Sequence, residues 1–251
     1  MSNSNPYILS LAGLDPSGGA GLLADVKVFE NFALTGLGVA TSITYQNESE
    51  FAGVKWLDEN EIVKQLRPLS RYRVKAVKIG LIENQEVLNN LIIEVKRLFP
   101  DAKIVWDPIL KASAGFSFHN QFNGETLKEI LKNTYCVTPN IPEAKMLGSG
   151  EAIENALLIS HFCYVVLKGG HQNENADDQL IRNGAVIQNY PHPKIEGLEK
   201  HGSGCVFSSA LASSLANDYA IEDAVKEAKD YTLAFLKSSD TLLGIHRNLM
   251  I

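Results

Sequence analysis

Tyr7-Ile-Leu-Ser-Leu-Ala-Gly13 is a short apolar run closed by a glycine and predicts a buried strand. A polar, glycine-rich stretch follows, Leu14-Asp-Pro-Ser-Gly-Gly-Ala-Gly21. Leu22, Leu23, Val26, Phe29 and Ala33 then recur at three- and four-residue spacing, which predicts a helix with one apolar face. Gly36 to Thr44 is a second β-rich run. Asp58 with Glu61 three residues later marks a helix start, and Pro68 limits that helix. Val74 to Gly80 predicts a strand, and Val87, Leu88, Leu91, Ile92, Val95 and Leu98 a helix after it. The alternation continues through a strand at Lys103 to Asp107, a helix near Thr126 to Leu131 and a strand at Tyr135 to Thr138. Pro142 sits at a helix start, Ile153 to Ile159 is an apolar helix, and Cys163 to Lys168 is a strand. Two late helices are expected, Val206 to Leu215 and Ala220 to Leu236. Between Asp177 and Gln188 the polar and apolar positions alternate around Asn183-Gly184, which predicts an antiparallel hairpin.

Strands and helices alternating in this way imply a mostly parallel sheet with helices on both faces. With no repeat, low-complexity tract or linker, the expectation is one α/β domain over residues 1–251. In open α/β sheets ligands gather beyond the carboxyl ends of the strands, so the polar residues just after each strand are the candidates for chemistry.

Composition narrows the class. A chain of 251 residues buries roughly three-quarters of its unfolded surface and needs no metal or disulfide staple. With 23 basic and 29 acidic side chains the formal charge is −6, which argues against a sequence-independent nucleic-acid binder. Cys136, Cys163 and Cys205 have no CxxC spacing, so neither a disulfide scaffold nor a cysteine zinc site is expected. No apolar run approaches the ~18 residues of a membrane span, and the start lacks the basic region of a signal peptide. A soluble, cytoplasmic protein is expected.

Gly19-Ala-Gly-Leu-Leu-Ala24 matches the G-x-G-x-x-A dinucleotide pattern in form. The acidic residue that would hold a ribose ~20 positions on is missing from Val39-Ala-Thr-Ser-Ile-Thr-Tyr-Gln46, so an oxidoreductase is rejected. There is no P-loop, G-x-S-x-G or H-E-x-x-H motif. The six histidines are scattered, and His119, His161, His192 and His246 suit surface or packing roles.

His201-Gly202-Ser203-Gly204-Cys205, opening an apolar helix, is the most informative segment. Free N–H groups and the helix dipole make such a start an anion site, and a thiol in its first turn would have a lowered pKa. The competing reading is a glycine-marked helix start with Cys205 as a small buried hydrophobe. Asp107 and Glu143 stand at strand ends, where Mg²⁺ takes one or two carboxylates plus waters and phosphates. Glu143, following Pro142, could equally be a cap. Lys168-Gly-Gly-His171 places a cation at the same edge, although a lone strand-end Lys is commonly a solvated charge. Gln46-Asn47 could read the edge of a heterocycle or cap a turn.

In order along the chain stand Gly13-Leu-Asp-Pro-Ser-Gly-Gly-Ala-Gly21, Gln46-Asn47, Val77-Lys-Ile-Gly80, Asp107-Pro108, Thr138-Pro-Asn-Ile-Pro-Glu-Ala144, Lys168-Gly-Gly-His171 and His201-Gly-Ser-Gly-Cys205. This set strongly resembles the hydroxymethylpyrimidine/phosphomethylpyrimidine kinases of thiamin biosynthesis, a branch of the ribokinase-like superfamily. The resemblance spans residues 7 to 236. It implies a three-layer αβα sandwich with the hairpin near residues 177–188. It also implies Mg²⁺-dependent transfer of the γ-phosphoryl of ATP to hydroxymethylpyrimidine, then to the monophosphate formed, and a homodimer.

Residue by residue, the resemblance places Gly13, Asp15, Gln46, Leu81 and Ile109 around the pyrimidine. It makes Gly202, Ser203 and Gly204 the anion hole and Cys205 and Lys168 the catalytic pair. Asn140, Lys168 and Asp178 fall on the nucleotide side, and Asp107 and Glu143 on the metal side. Departures from the family pattern are Lys200 and Val206 flanking the anion hole, Ser203 in place of Thr, Ala114-Gly115-Phe116 in place of Ser-Gly-Asp, and a shortened stretch between Ala144 and Cys163. Two other functions fit the same residues: a pyridoxal kinase of the same branch, and a non-catalytic vitamer-binding protein.

Overall fold

A computed structural model describes residues 6–110, 122, 124–169, 177–191 and 199–246. Ala114 to Phe116, His119, His171 and His192 lie outside the described residues. The strands are β1 (Tyr7–Leu14), β2 (Thr35–Gln46), β3 (Phe51–Trp56), β4 (Val74–Ile79), β5 (Lys103–Trp106), β6 (Cys136–Val137), β7 (Tyr164–Leu167), β8 (Asp178–Arg182) and β9 (Ala185–Tyr190). The helices are α1 (Gly21–Asn31), α2 (Glu59–Leu66), α3 (Gln85–Leu98), α4 (Gly124–Lys132), α5 (Ile141–Met146), α6 (Ala152–Ile159), α7 (Ser203–Ala216) and α8 (Ile221–Leu236).

All nine strands form one sheet in the order β3-β2-β1-β4-β5-β6-β7-β8-β9. The six from β2 to β7 in that order are mutually parallel, whereas β3 and the β8–β9 hairpin run antiparallel to their neighbours. Successive strand residues point to opposite faces. Leu9 and Val77 therefore join a core with Ile62, Leu91, Ile130 and Ala156 of the α2, α3, α4 and α6 layer. Ile8 and Ala76 join a second core with Phe29, Leu211 and Val225 of the α1, α7 and α8 layer. These are the three layers expected, with the parallel strands covered on both faces.

Local signals act where the pattern placed them. Asp58 and Glu61 form a reciprocal capping box at the start of α2, with Glu61 N donating to Asp58 Oδ1 at 3.0 Å and Asp58 N to Glu61 Oε2 at 3.1 Å. Asn183 and Gly184 take the two positive φ values, 52° and 76°, that a tight hairpin turn demands. Two points differ from expectation. Ala33 is not helical: α1 ends at Asn31, and Ala33 takes φ 56° as the chain turns back into β2. The edge strand β3 was not anticipated, because Phe51-Ala-Gly-Val-Lys-Trp has a central glycine, no clean alternation, and only half-buried or exposed residues.

The helix α7 is buried nearly all round, so it runs through the interior and not over the surface. Its buried Ser208 and Ser209 have no place in a purely apolar helix and are explained by the carboxylates they meet, Asp107 and Asp25, while Ser213 bonds back to Ser209 O. Among the described residues no helix is long and apolar enough to cross a membrane.

Candidate active site

Because β1, β2, β4, β5, β6 and β7 are parallel, their carboxyl ends share one edge of the sheet. Gly13, Gln46, Leu81, Asp107, Asn140 and Lys168 all fall at that edge. The antiparallel β8 begins there with Asp178, and α7 points its N-terminus at it. The predicted residues are thus gathered from most of the chain.

Asp15, 1% exposed, organises the loop between β1 and α1. Its carboxylate accepts from Ser17 N (2.9 Å), Ser17 Oγ (2.8 Å) and Ala20 N (3.0 Å), and it meets His201 Nε2 at 2.7 Å. Burial opposes its charge, but His201 and Ser17 outweigh that and hold its carboxyl below the ordinary value. All this capacity is used inside the protein, so Asp15 shapes the loop. Gly13 beside it leaves room in the same place: a Cβ there would lie 2.7 Å from Ser42 Oγ and 3.3 Å from Leu81 Cδ2.

The start of α7 is built on Gly202, which caps the helix with φ 75°. A Cβ on Gly202 would lie 2.1 Å from Gly19 O, so the position demands glycine both for backbone angle and for contact with the first glycine loop. At Gly204 a Cβ would meet only Lys168 Nζ, at 3.4 Å. A bare helix start therefore faces an ammonium across a space without side chains.

Cys205 lies in the first turn of α7 and is buried, as expected. Its ionisation is the reverse of the expectation. Burial, reinforced by Asp107 and Asp25, outweighs the pull of Lys78 and pushes the thiol up to about 11. At neutral pH Cys205 is a thiol, because removal from water costs a thiolate more than the helix start returns.

Asp107, 1% exposed, accepts from Thr138 Oγ1 and Lys168 Nζ on Oδ1, each at 3.1 Å, and from Ser208 Oγ on Oδ2 at 3.1 Å. Glu143 and Asn140 form a capping box at the start of α5: Asn140 N donates to Glu143 Oε2 and Glu143 N to Asn140 Oδ1, both at 2.8 Å. The capping reading of Glu143 thus describes one of its two oxygens. Burial raises its pKa, Lys168 pulls it down and Asp107 pushes it up, leaving it at about 7. Among the described residues no group of three or more His, Cys, Asp or Glu could hold a metal. Two carboxylates at one edge suit a Mg²⁺ that arrives with phosphates and keeps its waters.

The remaining expected residues have clear places. Gln46 ends β2 opposite Phe51, and its side-chain amide has no hydrogen bond among the described residues. Leu81 is buried, with its carbonyl held by Thr41 Oγ1 at 2.6 Å, and Ile109 lies beside Gly80. Asp178 accepts from Gly169 N and Lys229 Nζ, both at 2.9 Å, and so fixes the turn after Lys168. Lys200 is buried, 8% exposed, and donates to Ser239 O at 2.7 Å.

Several groups of the site escaped the sequence reading. Asp25 and Lys78, both fully buried, pair at 2.8 Å beneath Cys205. Ser10 Oγ donates to Asp25 at 2.5 Å and Ser209 Oγ at 2.6 Å. Burial opposes the Lys78 charge, but Asp25 wins and raises its pKa. Both left a signal in the sequence, since Asp25 stands on the apolar face of α1 and Lys78 within a central strand, where charges are rare unless paired.

A mixed sheet in this order, with a glycine-started interior helix facing a strand-end lysine, defines a ribokinase-like kinase. Solved kinases share the fold. An ADP complex of Bacillus subtilis pyridoxal kinase superposes with a TM-score of 0.79 at 26% identity, covering 95% of this chain and 94% of its own. Phosphomethylpyrimidine kinase from Clostridium difficile superposes with 0.76 at 29%, covering 91% and 98%. The profile of the phosphomethylpyrimidine kinase family matches residues 15–248, and the chain belongs to that family. Among curated relatives, the hydroxymethylpyrimidine/phosphomethylpyrimidine kinase of Aquifex aeolicus is 31% identical over 93% of this chain and 95% of its own. That of Bacillus subtilis is 31% identical over 89% and 86%.

Proposed function

We propose that this kinase transfers the γ-phosphoryl of ATP to the hydroxymethyl group of hydroxymethylpyrimidine, and then to the monophosphate so formed, as a single-domain, cytoplasmic homodimer. The observation that carries the reading is Lys168 Nζ poised over the bare helix start at Gly204. Phosphoryl transfer asks for positioning and positive charge around the moving group more than for covalent help. The N–H groups of Gly202, Ser203 and Gly204 and the Lys168 ammonium supply that charge without a P-loop. Mg²⁺, when bound, neutralises charge on the phosphates, and Asp107 and Glu143 are the side chains to hold it, directly or through water. Asn140 and Asp178 shape the nucleotide side. Cys205, as a thiol at the helix start, orients the substrate hydroxyl, and Gly13, Leu81 and Ile109 enclose the ring.

The direct test is ATP consumption with hydroxymethylpyrimidine, its monophosphate and pyridoxal in parallel. Turnover of both pyrimidines ahead of pyridoxal is expected. A preference for pyridoxal would move the protein to the sister activity, and no consumption with any of them would leave a vitamer-binding protein.

Gln46 tests the pyrimidine end of the pocket. Its amide offers a donor and an acceptor, the complement of an aminopyrimidine edge. Gln46→Leu leaves that edge unpaired at a cost of about 1–3 kcal/mol, so KM for the pyrimidine should rise by about 5- to 150-fold. An unchanged KM would remove Gln46 from ring recognition.

Glu143 tests the metal side. Its folded pKa of about 7 lies above the ordinary 4.5, so the folded protein binds this proton more tightly than the unfolded chain. The stability this contributes is complete below 4.5 and is lost as pH rises through about 7. Glu143→Gln should therefore flatten the fall in melting temperature over that window in the ligand-free protein. It should also lower kcat and shift the Mg²⁺ titration of turnover to higher concentration. A variant with the parental Mg²⁺ titration and the parental pH profile would place Glu143 outside the metal site.

A further inference from the structure

The two glycine loops of the site come from opposite ends of the chain, residues 14–20 and 201–204, and they meet as one surface. Gly202 leaves no room for a side chain against Gly19 O, and a Cβ on Gly19 would lie 2.7 Å from His201 Cδ2. The bond that joins them is His201 Nε2 to Asp15 Oδ2, 2.7 Å long, between residues 7% and 1% exposed. Asp15 is also held by further donors and His201 by its backbone. Asp15 also accepts from Ser17 and Ala20 in the first loop, and His201 N donates to Leu242 O at 2.9 Å. A movement of either loop is thus transmitted to the other through a short, buried contact.

We infer that Asp15 and His201 are positioning residues that couple the acceptor subsite to the nucleotide subsite, so that each ligand tightens the binding of the other. The inference rests on the function proposed above, in which Gly13, where the first loop begins, encloses the ring of the alcohol substrate and Gly202 to Gly204 receive the phosphoryl group. A ligand seated under the first loop holds Asp15 in place. Asp15 holds the His201 ring, and the ring sets the backbone immediately before the anion hole. Coupling of this kind is reciprocal by thermodynamic necessity.

The experiment is calorimetric titration of the full-length protein with the Mg²⁺ complex of a non-hydrolysable ATP analogue, with and without saturating hydroxymethylpyrimidine, and the reverse titration. In the parent each ligand should tighten the other by about 5-fold or more, and by the same factor in both directions. His201→Leu should lose the mutual tightening, read as the ratio of its affinities with and without the second ligand. His201→Gln, whose amide nitrogen can take the position of Nε2, should retain part of it. His201→Asn is too short to reach Asp15 and should behave as Leu does, which serves if the Leu variant does not fold. Parental tightening in a folded Leu or Asn variant would overturn the inference. So would a parent that turns over the pyrimidine yet shows no tightening, whereas a parent that neither binds nor phosphorylates the pyrimidine would overturn the functional proposal instead.

Discussion

Lys168→Met is expected to give a folded protein whose kcat is about 10²–10³-fold below the parent, the cost of removing one preorganised donor from a developing charge. Burial works against the Lys168 charge, but Asp107 and then Glu143 more than compensate and raise its pKa, so it is an ammonium throughout the working pH range. Its Nζ stands 3.1 Å from Asp107 Oδ1 and 3.4 Å from where a Gly204 Cβ would be. Methionine keeps the apolar stem and removes the ammonium with its charge and donors. Asp107 would still accept from Thr138 and Ser208 and would keep the Lys78 charge nearby, so its carboxylate is not left without a cation. Arginine should not rescue, because its planar fork is wider than the ammonium that fits against Gly204. kcat at saturating ATP and pyrimidine, read beside the melting temperature, separates a lost catalytic charge from a lost fold. A Met variant with parental kcat would remove Lys168 from the reaction.

What the sequence made legible here were the local and periodic features. The capping residues Asp58 and Glu61, the Asn183-Gly184 turn and the alternation of strand and helix each act within a few residues of themselves, so their signals survive in one dimension. The glycines of the two loops were also visible, although the reason for Gly202 was not. Its need for glycine comes from Gly19, far away in the chain, whose carbonyl occupies the space a side chain would take. Cys205 shows the same limit in its chemistry. Its helix position was readable and predicts a low pKa, whereas its burial among Asp25, Lys78 and Asp107 is assembled by three other parts of the chain and reverses the sign. Lys200 is similar: nothing near it in sequence says that Ser239 O will receive its ammonium.

The pair beneath the site carries the other large expectation. Lys78→Met should lower the stability of the fold by about 3–5 kcal/mol, since it leaves the Asp25 carboxylate buried without its cation. A protein of this size is stable by only about 5–15 kcal/mol, so the loss is a large fraction of the whole. Lys78 Nζ lies 2.9 Å from Oδ1 and 2.8 Å from Oδ2 of Asp25, with both side chains fully buried. Those two oxygens also gather Ser10 from β1 and Ser209 from α7, so the charge pair pins α7 to the sheet. If the stranded charge is what costs stability, removing it as well should restore much of the loss. Asp25→Asn combined with Lys78→Met does that, and the Asn side-chain carbonyl can still accept from one serine. The double variant should therefore unfold in urea nearer to the parent than Lys78→Met does, with the two effects strongly non-additive. Its kcat should stay below the parent even so, because a single amide carbonyl anchors α7 less firmly than a carboxylate that Ser209 and Lys78 share. A double variant no more stable than Lys78→Met would show that packing around the lysine stem, and not the buried carboxylate, sets the cost.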